Sequence, residues 1–430
     1  MSKELKKSHI RLVGEIPSDW KVVPFWSIFS TYKGLSITKA DLVETGIPVI
    51  SYGQIHSKTG IFFNKETLPF LPTSFLSYEN AILKKGDVVF ADTSEDVEGS
   101  GDFSVKDTDE IILAGYHNVI AKPKHREDYR FIGYVLESSG FRSQINSKVQ
   151  GVKVYSITQS MINKTKIWLP PIEEQLKISS FLDEKVSAIE NLVLKTTLSI
   201  GGLKKYKDSL ISEIMTRGLT EENTKKSGVD WVEEIPESWN SFKIGQLYSQ
   251  VKDLNKHLTE TNLLSLSYGK IKRKNIESAF GLLPASFEGY NRVKVDDIVL
   301  RMTDLQNDKK SLRQGLVTER GIITSAYITI RPLQQVYSKF VFYQLYAFDL
   351  NKGYYGMGSG IRQGVNYKDI KNLSIFLPQV DEQMKIVQFL EEKLLNIDIL
   401  ISKKEELIEK LEQYKKSLIF EYVTGKKEVL

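Results

Sequence analysis

Two stretches of the chain carry the same long amphipathic pattern. Leu182, Val186, Ile189, Val193, Ile200, Leu203 and Leu210 recur on a seven-residue pattern, and Leu390, Leu394, Ile397, Ile401, Ile408, Leu411 and Leu418 repeat it. A stripe at three-four spacing sustained over several heptads predicts coiled-coil packing. Each stripe follows a helix start, after Pro170-Pro171 and after Pro378, with Glu and Asp enriched in the first turn, where they complement the helix dipole. Helices of about 45 residues would each be roughly 65–70 Å long at 1.5 Å per residue. A greasy stripe of that length needs a partner, and the two helices are expected to pair with each other. Because a globular segment separates them, the pairing should be antiparallel. Gly201-Gly202 interrupts the first stripe where the second has Glu409-Lys410. Two glycines cost a helix roughly 1–2 kcal/mol, so a kink or a close neighbour is expected there, the kink being favoured.

The segments before the helices, roughly 14–168 and 233–376, have shorter periods. PVISYGQI, DVVFADT and HNVIAKP in the first, and LLSLSYGKI, DIVLRMT and AYITIRP in the second, read as strands. Gly, Asp, Asn and Ser clusters punctuate them. DYRFIGYVLESSGFRSQI and SKFVFYQLYAFDL have apolar residues at helical spacing. The whole pattern is written twice. KKSHIRLVGEIPSDW (6–20) aligns without gaps to KKSGVDWVEEIPESW (225–239), SYGQI (51–55) to SYGKI (267–271), and KGDVVFADT (85–93) to VDDIVLRMT (295–303). LPPIEEQLKISSFLDEK, from Leu169, returns as LPQVDEQMKIVQFLEEK, from Leu377, and KKYKDSLISEIMT (204–216) as EQYKKSLIFEYVT (412–424). Stretches such as 57–80 and 272–290 have little in common. One scaffold therefore carries two different surfaces.

Composition narrows the chemistry. At 430 residues the chain exceeds a single core. The absence of cysteine removes disulfides, zinc fingers, iron–sulfur clusters and thiol nucleophiles. His9, His56, His117, His125 and His257 show no paired metal-ligand spacing, so no metal site is expected. The opening MSKELKKSHIRL lacks an apolar core and does not read as a signal peptide. No apolar run approaches the roughly 18 residues of a membrane span, so a cytoplasmic protein is expected. A net charge of +5 is mildly basic and supports a nucleic-acid partner only weakly.

Signatures of catalysis are missing. There is no Gly-x-x-x-x-Gly-Lys-Ser/Thr loop, no Asn/Asp-Pro-Pro-aromatic run, no Gly-x-Ser-x-Gly elbow and no His-Glu-x-x-His. GYYGMGSG (353–360) reads as a loop rather than a nucleotide site. The carboxylate pairs Asp183-Glu184 and Glu391-Glu392 fall on the long helices and read as solvated faces. No catalytic residue is assigned.

The paired Gly/Glu-Glu-Ile-Pro-x-x-Trp openings, the Leu-Pro-x-x-x-Glu-Gln helix starts and the Tyr-Lys-x-Ser-Leu-Ile near each helix end resemble the DNA-specificity (S) subunit of type I restriction–modification systems. The resemblance covers essentially the whole chain. Gly14 against Glu233, and Gly201-Gly202, are its small departures. It implies an α+β fold of two mixed α/β target-recognition domains, 1–168 and 221–376, with long helices in 169–220 and 377–430 forming an antiparallel coiled coil with pseudo-twofold internal symmetry. It also implies a non-catalytic subunit that binds double-stranded DNA, each domain reading half of a split, asymmetric target. Two adenine-N6 methyltransferase subunits and two ATP-dependent translocase–nuclease subunits would dock on it. S-adenosylmethionine, ATP and Mg would then belong to those partners, with no cofactor in this chain. Half-sites about one helical turn apart lie roughly 34 Å centre to centre, and the helices would hold that spacing.

DNA contacts are expected from polar loop residues that can reach base edges, and from Lys or Arg on phosphates. In the first half these are Tyr52, Gln54, His56, Thr93, Ser94, Glu95, Lys148, Gln150, Lys153 and Tyr155. In the second they are Tyr268, Lys270, Lys272, Arg273, Arg301, Thr303, Asp304, Arg313, Gln314, Arg362, Gln363 and Asn366. Lys153 and Arg362 follow glycine in equivalent loops, GVK and GIR, and read as phosphate clamps. The shared Ser-Tyr-Gly context allows Tyr52 and Tyr268 to be core instead. The repeat is also compatible with a free-standing DNA-binding scaffold, or with an adaptor that binds only proteins.

Overall fold

The structure is a computed structural model that describes residues 4–57, 60–63, 68–149, 151, 153–274, 286–303, 305, 312–333, 336–357 and 364–429. The chain divides into two compact units, residues 1–196 with 406–430, and residues 197–405. The long helices run over Ile172–Arg217 and Val380–Val423. Each unit therefore holds the start of one helix and the end of the other.

Both units are built on the same antiparallel sheet. In the first, the strand order is Phe103–Val105, Val88–Ala91, Asn118–Pro123, Phe29–Lys33, with Ile120 facing both Val89 and Tyr32. In the second, the order Gln314–Leu316, Ile298–Leu300, Ile328–Pro332, Tyr248–Gln250 repeats it. The strands alternate little between apolar and polar because both faces of the central pair are buried. Asp87 and Asp297 fix the turn into the central strand, each carboxylate accepting the backbone N–H of the residue three earlier, Lys84 or Lys294. A second antiparallel pair, Lys21–Pro24 with Lys166–Leu169, and Asn240–Lys243 with Ser374–Leu377, ties each unit's opening to the strand before its long helix.

The heptad positions lie where the stripe requires. Ile178, Leu182, Val186 and Ile189 join Leu418, Ile419 and Val423 in the core of the first unit, around Trp20 and Trp168. Ile386, Val387, Leu390 and Leu394 join Ile211, Ile214 and Met215 in the core of the second, around Trp239. Within each unit the two helical segments run antiparallel. Glu190 meets Lys415 at 3.5 Å in the first, and Asp398 meets Lys207 at 2.6 Å in the second.

The repeated Glu-Gln of each helix start has a job in both copies. Trp20 and Trp239 donate their indole N–H to Glu174 and Glu382, each at 3.2 Å. Gln175 and Gln383 donate to the carbonyls of Pro170 and Pro378, at 3.0 and 2.9 Å. These are tertiary contacts that helix propensity alone would not select.

Three expectations change. The helix over DYRFIGYVLESSGFRSQI is two helices, Tyr129–Glu137 and Ser139–Asn146, because Ser138 is extended and turns its hydroxyl back to the Val135 carbonyl. Glu184 and Glu392 are exposed as expected, but Asp183 and Glu391 are half-buried and partnered. Tyr134 donates to Asp183 at 2.7 Å and Arg130 pairs with it at 3.1 Å, while Lys339 pairs with Glu391 at 2.9 Å. Burial is the main cause that raises the Asp183 pKa. Gly201 and Gly202 lie inside an unbroken helix, and a Cβ on either would meet nothing within 4 Å, so no close neighbour explains them.

Candidate nucleic-acid interface

In the first unit three expected segments converge. The strand Thr93–Ser94 pairs with Tyr155–Ser156, Ser94 facing Tyr155. The helix Tyr52–His56 lies beside them, and the two His56 ring nitrogens sit 2.9 Å from the Asp102 carboxylate and 2.7 Å from the Thr93 carbonyl oxygen. Both neighbours are acceptors, so only the imidazolium can donate to both. The Asp102 hydrogen bond is the largest cause raising the His56 pKa, against a smaller opposing effect of burial. Asp102 also receives Arg142, at 2.6 Å. His56 thus latches the Thr93 loop. Gln54 is occupied locally, accepting the Ser51 backbone N–H at 3.0 Å. Ser94 is buried, and Tyr52 is half-buried with its ring edge-on to Tyr116 and His117. Glu95, Lys148 and Lys153 face solvent, and Gln150 lies outside the described residues.

In the second unit the matched Ser-Tyr-Gly folds differently. Leu264–Ser267 and Lys270–Arg273 form a β-hairpin with Tyr268-Gly269 as its two-residue turn. Tyr268 is 77% exposed, so it is not core. In the first copy Gln54 completes a capping box with Ser51 and starts a helix. Lys270 stands at that position in the second and has no acceptor to offer the backbone. Lys270 and Lys272 are exposed, and Arg273 is held by Glu319, its Nε at 2.7 Å.

The remaining second-unit residues surround a neighbouring loop. Val365 donates its backbone N–H to the Met302 carbonyl at 3.2 Å, bringing 364–366 to 301–303. Thr303 is exposed at this junction and Arg301 is half-buried. Arg313 is fully buried, donating to the Thr303 carbonyl at 2.9 Å while its own backbone N–H binds Asp349. Gln314 is buried in its strand, and Asn366 caps the short helix Tyr367–Ile370 through the Lys368 N–H. Asp304, Arg362 and Gln363 lie outside the described residues.

Sequence reasoning missed the groups that hold these loops. Asp102 and Arg142 in the first unit and Asp349 in the second are ordinary polar residues in the sequence, and only their distant partners give them a role. Among the described residues, no group of three or more His, Asp or Glu is placed to hold a metal ion. Among them, too, no helix is long and apolar enough to cross a membrane.

Residues 17–198 match the family described as the type I restriction modification DNA specificity domain. A specificity subunit assigned to the type I restriction enzyme MjaX of Methanocaldococcus jannaschii is 26% identical over 429 residues, covering 96% of this chain and 95% of that protein. The type I restriction enzyme EcoKI specificity subunit of Escherichia coli K12 is 22% identical over 404 residues, 88% of this chain and 83% of that one. Among solved structures, a chain from work on complex assembly and conformational transition of the type I R-M system shares the fold. Its TM-score is 0.68 at 16% identity, covering 96% of this chain and 99% of its own. The HsdS subunit from Thermoanaerobacter tengcongensis has a TM-score of 0.50 at 16% identity, covering 96% and 98%. With one frame built twice and relatives matched along most of their length, residues 17–198 carry the type I restriction modification DNA specificity domain, and nearly the whole chain is similar to specificity subunits of type I restriction–modification systems.

Proposed function

We propose that this chain reads a bipartite, asymmetric double-stranded DNA target and scaffolds the subunits that act on it. Residues 1–168 and 221–376 serve as the target-recognition domains, and the helices of 169–220 and 377–430 set the spacing between half-sites. The observation that carries the reading is a contrast. Frame contacts such as Trp20–Glu174 and Trp239–Glu382 recur in both units, whereas the matched Ser-Tyr-Gly becomes a helix in one and a hairpin in the other. Equal frames suit equal partners, and unequal loops suit unequal half-sites.

The helices support the docking part. Ile172, Leu176, Leu192 and Tyr414 are exposed in the first unit, and Val380, Met384, Leu400 and Tyr206 are exposed in the second. These are equivalent positions of the two copies, and large exposed apolar residues in rows mark protein contacts. Two copies of one adenine-N6 methyltransferase subunit fit that duplication, and two translocase–nuclease subunits complete the restriction enzyme. Chemistry and its cofactors, S-adenosylmethionine, ATP and Mg, reside on those partners in the cytoplasm. The solvent-facing Glu95, Lys148, Lys153, Lys270, Lys272 and Thr303 are the DNA contacts we favour among the described residues, the lysines chiefly on phosphates.

Co-expression with a methyltransferase subunit of the same system, followed by genome-wide mapping of N6-methyladenine, tests the reading. A methylated bipartite motif with a fixed spacer is expected. A stable complex that methylates no defined motif would overturn the assignment of specificity to this chain.

A further inference from the structure

The hairpin Leu264–Arg273 has two faces with different tasks. Leu264, Leu266 and Ile271 point inward and pack with Val293, Val299, Val317 and Ile323. Gly315, on the adjoining strand, leaves no room for a Cβ beneath Leu266 and Ile271, so the hairpin lies directly on the main sheet. The outward positions are Ser265, Ser267, Lys270 and Lys272, with Ser267 paired to Lys270 and Ser265 to Lys272. A rigidly backed ribbon therefore presents small polar residues and two lysines to solvent.

Its tip breaks a local rule. Tyr268 has φ +47° and Gly269 φ +74°, the two positive values of a type I′ turn. Glycine suits its position, since a Cβ there would press on Leu312. Tyrosine does not suit the preceding one, where Asn, Asp or Gly is favoured and a bulky side chain is strained. The ring makes no compensating burial, being 77% exposed. A residue unfavourable to the folded chain and without a partner among its described residues points outward, to a ligand. Cationic flanks and an exposed aromatic match duplex DNA, whose major groove admits a two-stranded β-ribbon.

We propose that the Leu264–Arg273 hairpin enters the major groove of the half-site read by the second unit, with Tyr268 contacting base edges and Lys270 and Lys272 contacting flanking phosphates. This rests on the DNA-reading function proposed above and names the element that performs it. Tyr268 is then a specificity-determining residue, and the lysines contribute affinity without sequence preference.

Tyr268→Asn makes the test clean, because Asn-Gly is a preferred pair for this turn and the fold is not put at risk. In complex with the methyltransferase, the variant should melt at the same temperature as wild type or higher. Its affinity for the motif found with the wild-type complex should fall between about five- and one-hundred-fold, the range for a lost base contact. The loss should appear as relaxed bases in one half-site only. Tyr268→Phe divides the contact: retained binding assigns it to the ring, lost binding to the hydroxyl, and both outcomes support the proposal. Lys270→Ala and Lys272→Ala should weaken all sequences alike and each lower the salt slope by about one. Unchanged affinity and motif for Tyr268→Asn would overturn the proposal while leaving the wild-type methylation, and so the function, intact. Loss of the methyltransferase from the complex would overturn it in favour of a protein-docking hairpin. A wild-type complex that methylates no motif would remove both.

Discussion

At the scale of single residues, His56 shows how a loop polar residue becomes structure. Its ring is clamped between the Asp102 carboxylate and the Thr93 carbonyl, and Asp96 adds a smaller charge effect in the same direction. The folded pKa lies above the ordinary 6.5, so the folded chain binds the extra proton more tightly than the unfolded one. The latch is therefore at full strength below pH 6.5 and fades as pH rises through the raised value. Two hydrogen bonds from a charged ring contribute roughly 1–3 kcal/mol. Thermal melts of wild type and His56→Gln should differ most at low pH and converge as pH rises; a difference that stays constant would sink the latch. This is also where the sequence was least legible. Polar character marks Gln54, Ser94, Arg313 and Gln314 as candidates, but Gln54 is taken up by the Ser51 N–H in a local cap, Ser94 and Gln314 are buried, and Arg313 is buried with its guanidinium on the Thr303 carbonyl. Only the Gln54 cap has a local pattern in the sequence.

Single elements were more legible, with failures that have physical causes. Both long helices and their buried stripes follow from periodicity, and so do the central strands. The Ser-Tyr-Gly segment misleads because five aligned residues, four of them identical, fold two ways, the choice falling to Gln54 against Lys270 and to the sheet each meets. The anchors between head and helix were invisible too, since Asp183 and Glu391 look like any charged helix residue. Tyr134 and Arg130 converge on Asp183, and Tyr343 and Lys339 on Glu391. Asp183→Ala strands the hydroxyl of the buried Tyr134 and the half-buried Arg130 and should cost about 1–3 kcal/mol in urea unfolding. A loss under half of that would mean the anchor is only a surface pair. The glycines of the first helix predict the opposite sign. Gly201→Ala and Gly202→Ala meet no neighbour, and each should stabilise the chain by about 0.5–1 kcal/mol. Destabilisation by either would show that the local backbone is not ordinary helix.

The whole molecule is the scale at which the sequence speaks most plainly, because duplication is visible without any structure. Offsets between the copies shrink stepwise from 219 at the openings to 208 along the helices, and that offset of 208 relates Glu190 to Asp398 and Lys207 to Lys415. Each helix thus carries an acid in its first half and a lysine in its second, and each acid takes the other helix's lysine. The register of the pair is set by charges that the repeat itself supplies, on top of an apolar stripe that would tolerate sliding by a heptad. The helices proposed to set the half-site spacing can therefore be lengthened with their pairing kept. Insert seven residues in register into both helices, one after Thr196 and one after Glu405, where the compact units meet in sequence. Seven residues preserve the stripe's phase within about 20° and lengthen each helix by about 10 Å, and the ion pairs on either side of the insertion keep their partners. Neither recognition surface is altered. The methylated motif should then keep both half-sites and gain base pairs between them, read directly from the N6-methyladenine map of the co-expressed complex. Inserting into one helix alone misaligns Lys207 from Asp398 or Lys415 from Glu190 and should abolish methylation or destabilise the chain. An unchanged spacer in the doubly extended variant would mean that something other than these helices measures the target.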